Sequence, residues 1–204
     1  MPLRSSILDL EKILLSSPVD PFFGIRVRRL VELDPEKPVM MIRTTYEKVE
    51  GGPQKVGVWV ITQLKDPVAV FAPIPKNSLF PEGYNRQSEE KLPLDLKVQP
   101  GLLSLRRDPK SSTKIGTDAG SLFWVGENEI LQIDSSRAPN EEYPDQGSSA
   151  EIYTNPDPLP YIELELLGPL STMKVGDKIE RTSTYTLMLR SDPDPAQEMR
   201  KLRP

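Results

Sequence analysis

The 204-residue chain contains neither cysteine nor histidine. Without cysteine it has no disulfide, no thiolate nucleophile and no zinc ribbon or iron–sulfur site. Without histidine it has no Ser-His-Asp triad, no imidazole acid–base group and no histidine-ligated metal. Any catalysis at neutral pH would therefore depend on carboxylates, lysine, tyrosine, arginine or a hard cation such as Ca²⁺.

Long apolar runs and blocks of like charge are also missing. No segment approaches the roughly 18 apolar residues that a membrane span needs, and charged residues interrupt the N-terminal segment, which does not resemble a signal peptide. The net charge is only −4. The densest basic run, Arg26-Val27-Arg28-Arg29, is predicted to be the solvent-exposed face of a strand in preference to a phosphate site. We expect a cytoplasmic protein with neither nucleic acid nor membrane as partner.

Proline, in contrast, is abundant. The 22 prolines are about twice the average usage, which favours many short elements because proline breaks helix interiors. Alternation with period two predicts about ten strands, over residues 25–33, 39–49, 55–64, 68–71, 101–105, 121–125, 130–133, 150–154, 161–167 and 179–189. We therefore predict an all-β fold, an antiparallel β-sandwich.

The predicted domain organisation is simple. An N-terminal segment, residues 1–16, could be a short helix or a strand, and residues 17–190 form the sandwich domain. Residues 76–100 are expected to be a long loop with an irregular strand. The tail, residues 191–204, is expected to be a frayed turn of helix or disordered.

The most distinctive segment is Tyr161-Ile-Glu-Leu-Glu-Leu-Leu. In a strand, Tyr161, Glu163 and Glu165 share one face, and the two glutamate Cα atoms lie roughly 6.6 Å apart. Such a carboxylate pair could act as acid and base, as in glycosidases. An ordinary strand with a polar face also explains the pattern, and on the sequence alone it is the better explanation.

Further candidates for ligand binding lie elsewhere in the chain. Aromatic rings beside carboxylates suit sugar binding, because a ring can stack on a sugar while acids accept hydrogen bonds from its hydroxyls. Core packing is the competing explanation for each aromatic residue. No P-loop, dinucleotide fingerprint or EF-hand pattern is present, so we expect neither a cofactor nor a metal ion. The candidates are Trp59, Gln63, Asp118, Trp124, Glu151, Tyr153 and Tyr161, with Tyr46 as a further aromatic.

Several runs together resemble an uncharacterised bacterial protein family (a domain of unknown function) with a galactose-mutarotase-like, or aldose 1-epimerase-like, fold. The runs are Ser17-Pro-Val-Asp-Pro-Phe-Phe-Gly-Ile-Arg-Val, Val58-Trp-Val-Ile-Thr-Gln, Lys114-Ile-Gly-Thr-Asp-Ala-Gly, Glu142-Tyr-Pro-Asp-Gln-Gly, Glu151-Ile-Tyr-Thr-Asn-Pro, Tyr161-Ile-Glu-Leu-Glu-Leu-Leu-Gly-Pro-Leu and Lys174-Val-Gly-Asp.

The resemblance implies part or all of a supersandwich of antiparallel sheets, with a concave face that holds a carbohydrate. It also implies that this chain corresponds to the later portion of that fold, and that exposed sheet edges could support a homo-oligomer. In aldose 1-epimerases a late glutamate takes the proton of the anomeric hydroxyl, and a histidine protonates the ring oxygen. Glu163 or Glu165 could be that glutamate, but the histidine has no counterpart here.

Three functions remain open at this point. The first is a carbohydrate-binding protein without epimerase activity. The second is a carboxylate-dependent sugar-active enzyme of epimerase, lyase or hydrolase type, with Glu163 and Glu165 as the acid and base. The third is an interaction scaffold whose sheet packs on a partner. A raised pKa on one glutamate in a concave pocket would favour the enzyme, an aromatic groove without coupled acids would favour binding, and a flat or self-paired sheet face would favour the scaffold.

Overall fold

The computed structural model describes residues 4–87, 92, 95–156 and 158–202. These residues form seventeen strands and one α-helix, and the predicted all-β class is confirmed. The elements are β1 Arg4–Ile7, β2 Lys12–Val19, β3 Ile25–Leu33, β4 Val39–Lys48, β5 Gln54–Val56, β6 Trp59–Lys65, β7 Ala69–Pro73, β8 Asn85–Arg86, β9 Lys97–Gln99, β10 Leu102–Leu105, β11 Thr113–Thr117, β12 Ser121–Val125, β13 Glu129–Asp134, β14 Ala150–Thr154, β15 Tyr161–Leu167, β16 Ser171–Met173, β17 Lys178–Leu189 and α1 Pro195–Leu202.

Two large sheets and one small sheet contain these strands. The ten-stranded sheet has the order β1-β2-β3-β4-β17-β13-β12-β7-β10-β9, and the five-stranded sheet has the order β6-β15-β14-β11-β8. Strands β5 and β16 pair separately. Every pair of neighbours in the sheets is antiparallel, as the sequence predicted.

The main core fills the space between the two large sheets. In β15, Ile162, Leu164 and Leu166 are at most 1% exposed, because every second side chain of the strand points to the same face. They pack against apolar side chains of the ten-stranded sheet such as Leu122 and Ile133. The alternate residues of β15 therefore point away from the core, and this side of the five-stranded sheet is called the outer face below.

Helix α1 covers the opposite side of the ten-stranded sheet. Its Met199 is fully buried in a second apolar cluster that includes Phe71, Phe123 and Ile130. Asp194 caps the helix, since its carboxylate accepts a hydrogen bond from Ala196 N. The tail thus forms a docked helix where a frayed or disordered segment was expected. No helix among the described residues is long and apolar enough to cross a membrane.

The N-terminal residues form two strands, β1 and β2. Residues 6–15 fall within and between β1 and β2, which form a hairpin, so the helical alternative was wrong for this segment. Strands β2, β3 and β4 extend the ten-stranded sheet and consist largely of half-buried residues. The division into residues 1–16, 17–190 and 191–204 stays an expectation.

Elsewhere, one predicted strand is split in the structure and several strands lie where none was predicted. The predicted strand 55–64 is split at Gly57, where a side chain would meet Gly168 O at 2.6 Å, so that β5 pairs with β16 and β6 with β15. Strands β11 and β16 were missed altogether. The loop predicted over residues 76–100 contains β8 and β9; its residues 88–91 and 93–94 lie outside the described residues.

Candidate functional site

The register of strands β6, β15 and β14 collects Glu151, Glu163 and Glu165 on the outer face of the five-stranded sheet. Glu165 lies directly opposite Glu151 on one side and Ile61 on the other. One pair further along, Glu163 lies opposite Tyr153 and Gln63. Residues that are directly opposite in antiparallel strands have Cβ atoms about 4.5–5.5 Å apart, so this face presents a compact polar surface.

A lysine from β11 links the two central carboxylates. Lys114 Nζ lies 2.6 Å from Glu151 Oε2 and 2.9 Å from Glu165 Oε2. The same Nζ lies 5.0 Å from the ring centroid of Trp59, within the range of a cation–π contact. Trp59 Nε1 also donates a 2.7 Å hydrogen bond to Glu165 Oε2. We call Trp59, Lys114, Glu151 and Glu165 the Lys114 cluster.

Sequence reasoning missed Lys114 as a site residue because it lies between the strands predicted over residues 101–105 and 121–125. In the structure it lies in strand β11, which pairs with β14 on one side and β8 on the other. A signal was available: Thr113, Ile115 and Thr117 are β-branched residues at alternate positions, a pattern typical of a strand. Gly116 lies between them, where a side chain would displace Ser148 Oγ.

Burial sets the protonation of Glu151. Its side chain is fully buried, and among the described residues Oε1 has no hydrogen-bond partner. Burial raises the pKa of Glu151 to about 7, although the hydrogen bond and charge of Lys114 act in the opposite direction. At neutral pH this carboxyl group is therefore present in both protonated and ionised forms, which is the condition for proton transfer.

Lys114 itself remains charged. Burial would lower its pKa, but the hydrogen bonds from its ammonium to Glu151 and Glu165, together with their charges, outweigh burial and raise the pKa. One ammonium therefore faces two carboxyl groups. The cluster can carry a negative charge when both carboxyl groups are ionised.

Glu163 extends this surface toward solvent. It accepts a hydrogen bond from Gln63 Nε2 at 3.4 Å. Partial burial and the charge of Glu165 raise the pKa of Glu163, against the opposing effects of Lys114 and Gln63. Glu163 thus has a raised pKa in an accessible position, while Glu151 has one in a closed position.

Exposure increases across the face from β14 to β6. Glu151 and Glu165 are 0% and 1% exposed, whereas Trp59 and Ile61 on the edge strand β6 are 47% and 43% exposed. Beyond Glu151 the face is closed by Asn85, whose side chain donates hydrogen bonds to Asp145 O and Ser148 Oγ. A ligand would therefore approach from the side of Trp59 and Gln63.

Both tyrosines predicted for the site lie on this face at its far end. Tyr153 OH accepts a hydrogen bond from Ser112 Oγ at 3.0 Å, and Tyr161 pairs with Lys65 in the register of β15 and β6. Both tyrosines are half-buried. The structure thus places Glu163, Glu165, Trp59, Gln63, Glu151, Tyr153 and Tyr161 on one face, with Trp59 and Tyr161 at opposite ends of the β15–β6 pair.

Three other candidates lie apart from the Lys114 cluster or touch only its margin. Trp124 is buried in the core from β12, and its Nε1 donates to Lys65 O. Asp118 is buried and holds a loop, since it accepts hydrogen bonds from Ser78 Oγ and Leu79 N. Tyr46 OH contacts the backbone of Trp59, at 3.4–3.5 Å. A ligand-binding role for Trp124 and Asp118 stays a prediction. Across the described chain, no three acidic side chains are grouped as metal ligands.

The overall architecture belongs to the class of antiparallel β-sandwiches, and solved structures define the class further. No protein-family model matches the chain, and no curated protein matches its sequence. A candidate aldose 1-epimerase from Escherichia coli K12 is similar in structure, with a TM-score of 0.66 and 11% identity over 92% of this chain and 68% of that one.

Two further structures agree with this result. A galactose mutarotase related enzyme from Lactobacillus acidophilus has a TM-score of 0.58 and 10% identity, over 95% of this chain and 73% of that one. A galactose mutarotase-like protein from Lactobacillus casei ATCC 334 has a TM-score of 0.56 and 11% identity, over 91% and 73%. The chain therefore has a galactose-mutarotase-like fold, as the sequence resemblance implied.

Proposed function

We propose that the outer face of the five-stranded sheet binds a carbohydrate. The observation that carries the proposal is the half-exposed indole of Trp59, fixed by its hydrogen bond to Glu165, with its ring centroid 5.0 Å from Lys114 Nζ. An exposed aromatic ring beside hydrogen-bonding groups matches the two surfaces of a sugar, its apolar C–H face and its hydroxyl edge. The mutarotase-like fold of the compared structures supports the same class of ligand.

Each group has a distinct part in this proposal. The indole of Trp59 stacks on the sugar ring, and the exposed side chain of Gln63, further along β6, provides both a donor and an acceptor. The Glu163 carboxylate accepts hydrogen bonds from hydroxyl groups. Lys114 and Glu165 hold the indole in place from beneath, since they are much less exposed than Trp59.

A thermal-shift screen against monosaccharides and oligosaccharides tests the proposal, because a ligand that binds only the folded state raises the melting temperature. We expect Trp59→Ala to abolish the shift produced by a sugar that stabilises the wild type. Phe22→Ala is the matched control, because Phe22 is 85% exposed and lies outside the face. Absence of a shift with every sugar would favour a scaffold function, in which the face packs on a partner protein.

A second candidate function, carboxylate-dependent chemistry on a sugar, is favoured by one observation. The pKa of Glu151 is about 7, and a catalytic acid or base operates best near the ambient pH. In this second candidate function, Glu151 exchanges a proton, and Glu163 and Glu165 have the acid–base roles predicted from the sequence. We expect Glu163→Gln and Glu165→Gln each to abolish any turnover while circular dichroism shows an intact fold; retained turnover in both variants would exclude them from the mechanism.

We further propose that the protein lacks epimerase activity, since the chain has no histidine to protonate a sugar ring oxygen. Polarimetry of freshly dissolved α-anomers tests this directly. Equilibration at the uncatalysed rate is the expected outcome, and acceleration that disappears in Glu165→Gln would contradict it. Membership of the bacterial family named above is likewise a proposal, which rests on the resemblance and on the shared fold.

Association through sheet edges is also a proposal. Strand β1 is the outermost described strand of the ten-stranded sheet, and its Ile7 is 81% exposed, so a second copy could pair with this edge. Light scattering coupled to gel filtration would measure the mass in solution. We expect Ile7→Lys to convert a dimer to a monomer, and a monomeric wild type would remove the proposal.

A further inference from the structure

A second polar surface lies on the ten-stranded sheet, across strands β1 to β4 and β17. On the ten-stranded sheet, Arg4, Ser16 and Arg28 form one row across β1, β2 and β3. Arg26 lies in the next row and pairs with Glu47 in the register of β3 and β4. Since residues in one row share a face and alternate residues of a strand share a face, all three arginines project from the same side.

These side chains line a cavity. It has a volume of about 590 Å³ and is lined by Arg4, Ser16, Ser17, Pro18, Val19, Arg26 and Arg28. The pairing of β2 with β3 is irregular between Ser16 and Val19, and the bulge leaves room between the rows. Ser17 Oγ stabilises the bulge by accepting a hydrogen bond from Val27 N.

The charge of this cavity is positive although the protein as a whole is acidic. Glu47 Oε2 lies 3.5 Å from Arg26 Nη1 and 3.1 Å from Arg28 Nη2, and Glu47 Oε1 lies 3.6 Å from Lys178 Nζ. One carboxylate thus faces two guanidinium groups and an ammonium. We call Arg26, Arg28, Glu47 and Lys178 the Glu47 cluster.

Arg4 adds further positive charge at the cavity wall. The nearest other carboxylate in these rows is Glu180, which lies beyond Thr45 and accepts a hydrogen bond from Thr45 Oγ1. The positive groups therefore exceed the negative ones around the cavity.

Donor capacity remains after these contacts. A guanidinium group has five N–H donors, yet Arg28 Nε is buried without a hydrogen-bond partner among the described residues. Unmet donors of this kind are costly unless a ligand or solvent satisfies them. The planar guanidinium group matches the oxygen spacing of phosphate and sulfate, and it binds them through paired hydrogen bonds.

We propose that this cavity binds a small molecule through a phosphate or sulfate group, with Arg26, Arg28 and Arg4 as the recognising residues. Ser16 lies between Arg4 and Arg28, where its hydroxyl can donate to the same anion. The volume is many times the roughly 30 Å³ share of one water molecule, so the remainder of an esterified molecule also fits. The site is independent of carbohydrate binding at the outer face.

Calorimetric titration at constant ionic strength tests the proposal, with inorganic phosphate, inorganic sulfate and a simple phosphate monoester as probes and chloride as the balancing anion. We expect Arg28→Gln to weaken binding by about tenfold or more, as for loss of a charge-assisted contact. Arg43→Gln, which removes one exposed charge from β4 outside the cavity lining, should change the affinity by less than about twofold through general electrostatics.

The decisive variant is Glu47→Gln. If the arginines serve only to pair with Glu47, this change leaves anion binding absent. If they form an anion site, removing the competing carboxylate strengthens phosphate binding by several-fold. Tighter binding of the monoester than of inorganic phosphate would identify an esterified ligand, and the reverse would identify the free ion. No heat from any of the three anions, with wild type and Glu47→Gln alike, would overturn the proposal.

Discussion

The Lys114 cluster and the Glu47 cluster are opposite in composition: the first surrounds one cation with acidic groups, and the second surrounds one carboxylate with cations. In the first, one ammonium lies between two carboxyl groups that are at most 1% exposed. In the second, one carboxylate lies among two guanidinium groups and an ammonium whose side chains are 33–57% exposed. The comparison shows that burial, as well as the number of charges, determines the protonation of a charged cluster.

The pKa values of the central carboxyl groups shift in opposite directions in the two clusters. Burial raises the pKa of Glu151 to about 7 despite the adjacent ammonium. Burial also acts to raise the pKa of Glu47, but the charges of Arg28, Lys178 and Arg26 outweigh it and lower the pKa. The first cluster can therefore exchange protons near neutral pH, while the second keeps a fixed set of charges. Proton exchange suits chemistry, and fixed positive charge suits anion binding.

The largest expected effect comes from removing the central cation of the buried cluster. Lys114→Met leaves Glu151 and Glu165 buried without their ion-pair partner, and loss of one partner of a buried pair costs about 3–5 kcal/mol. Urea denaturation would measure the fall in the free energy of unfolding. Lys12→Met is the control, because Lys12 pairs with Glu32 at the surface, and it should leave stability nearly unchanged. A similar small change in both variants would show that the ion pairs of the Lys114 cluster contribute no more to stability than a surface pair.

The next effect is a dependence of stability on pH. The folded-state pKa of Glu151 is about 7, above its ordinary value of 4.5, so the folded protein retains a proton that the unfolded chain releases. Its stabilising contribution is complete below pH 4.5 and is lost as the pH rises through 7, by about 3 kcal/mol at most. Urea denaturation from pH 4.5 to 8 should show this fall.

Two variants make the pH prediction specific. Glu151→Gln, which cannot ionise, should flatten the slope between pH 4.5 and 8. Glu47→Gln should leave that slope unchanged, because the pKa of Glu47 is lowered and its contribution is lost only as the pH falls below its ordinary range. A slope that survives in Glu151→Gln would assign it to another group, and Glu163 is the first alternative because its pKa is also raised.

The smallest expected effect is on the stability of the Glu47 cluster itself. Glu47→Gln should change the free energy of unfolding by less than about 1 kcal/mol, since ion pairs near the surface contribute little. Denaturation in 0.05 M and 0.5 M sodium chloride distinguishes the two clusters further, because salt screens exposed ion pairs and hardly affects buried ones. A loss as large as that of Lys114→Met would remove the contrast between the two clusters.

Much of the site was predictable because strand alternation is a local property. Ile162, Leu164 and Leu166 identify the buried face of β15, and Glu163 and Glu165 follow as its other face. The same alternation puts Glu151 and Tyr153 on one face of β14. It did not distinguish an exposed aromatic from a buried one: Trp59 is half-exposed, whereas Trp124 belongs to the core.

Other elements were missed where the local signal was weak or depended on a distant partner. Strand β11 was missed because Gly116 obscured its alternation, and with it Lys114 was missed. Helix α1 was underestimated although Asp194 provides a capping residue, because Met199 gains its burial from Phe71 and Phe123 on distant strands. The split at Gly57 depends on contact with Gly168, more than a hundred residues away.

The sequence by itself determined that the protein is an antiparallel β structure and which side chains of each strand share a face, since both follow from side-chain sterics and a period of two. Only the tertiary structure decided that Glu151 lies opposite Glu165, that Lys114 reaches both, and that Arg4, Arg26 and Arg28 surround one cavity. The physical reason is that register and burial depend on which strands are neighbours. That choice is made by the packing of the whole chain.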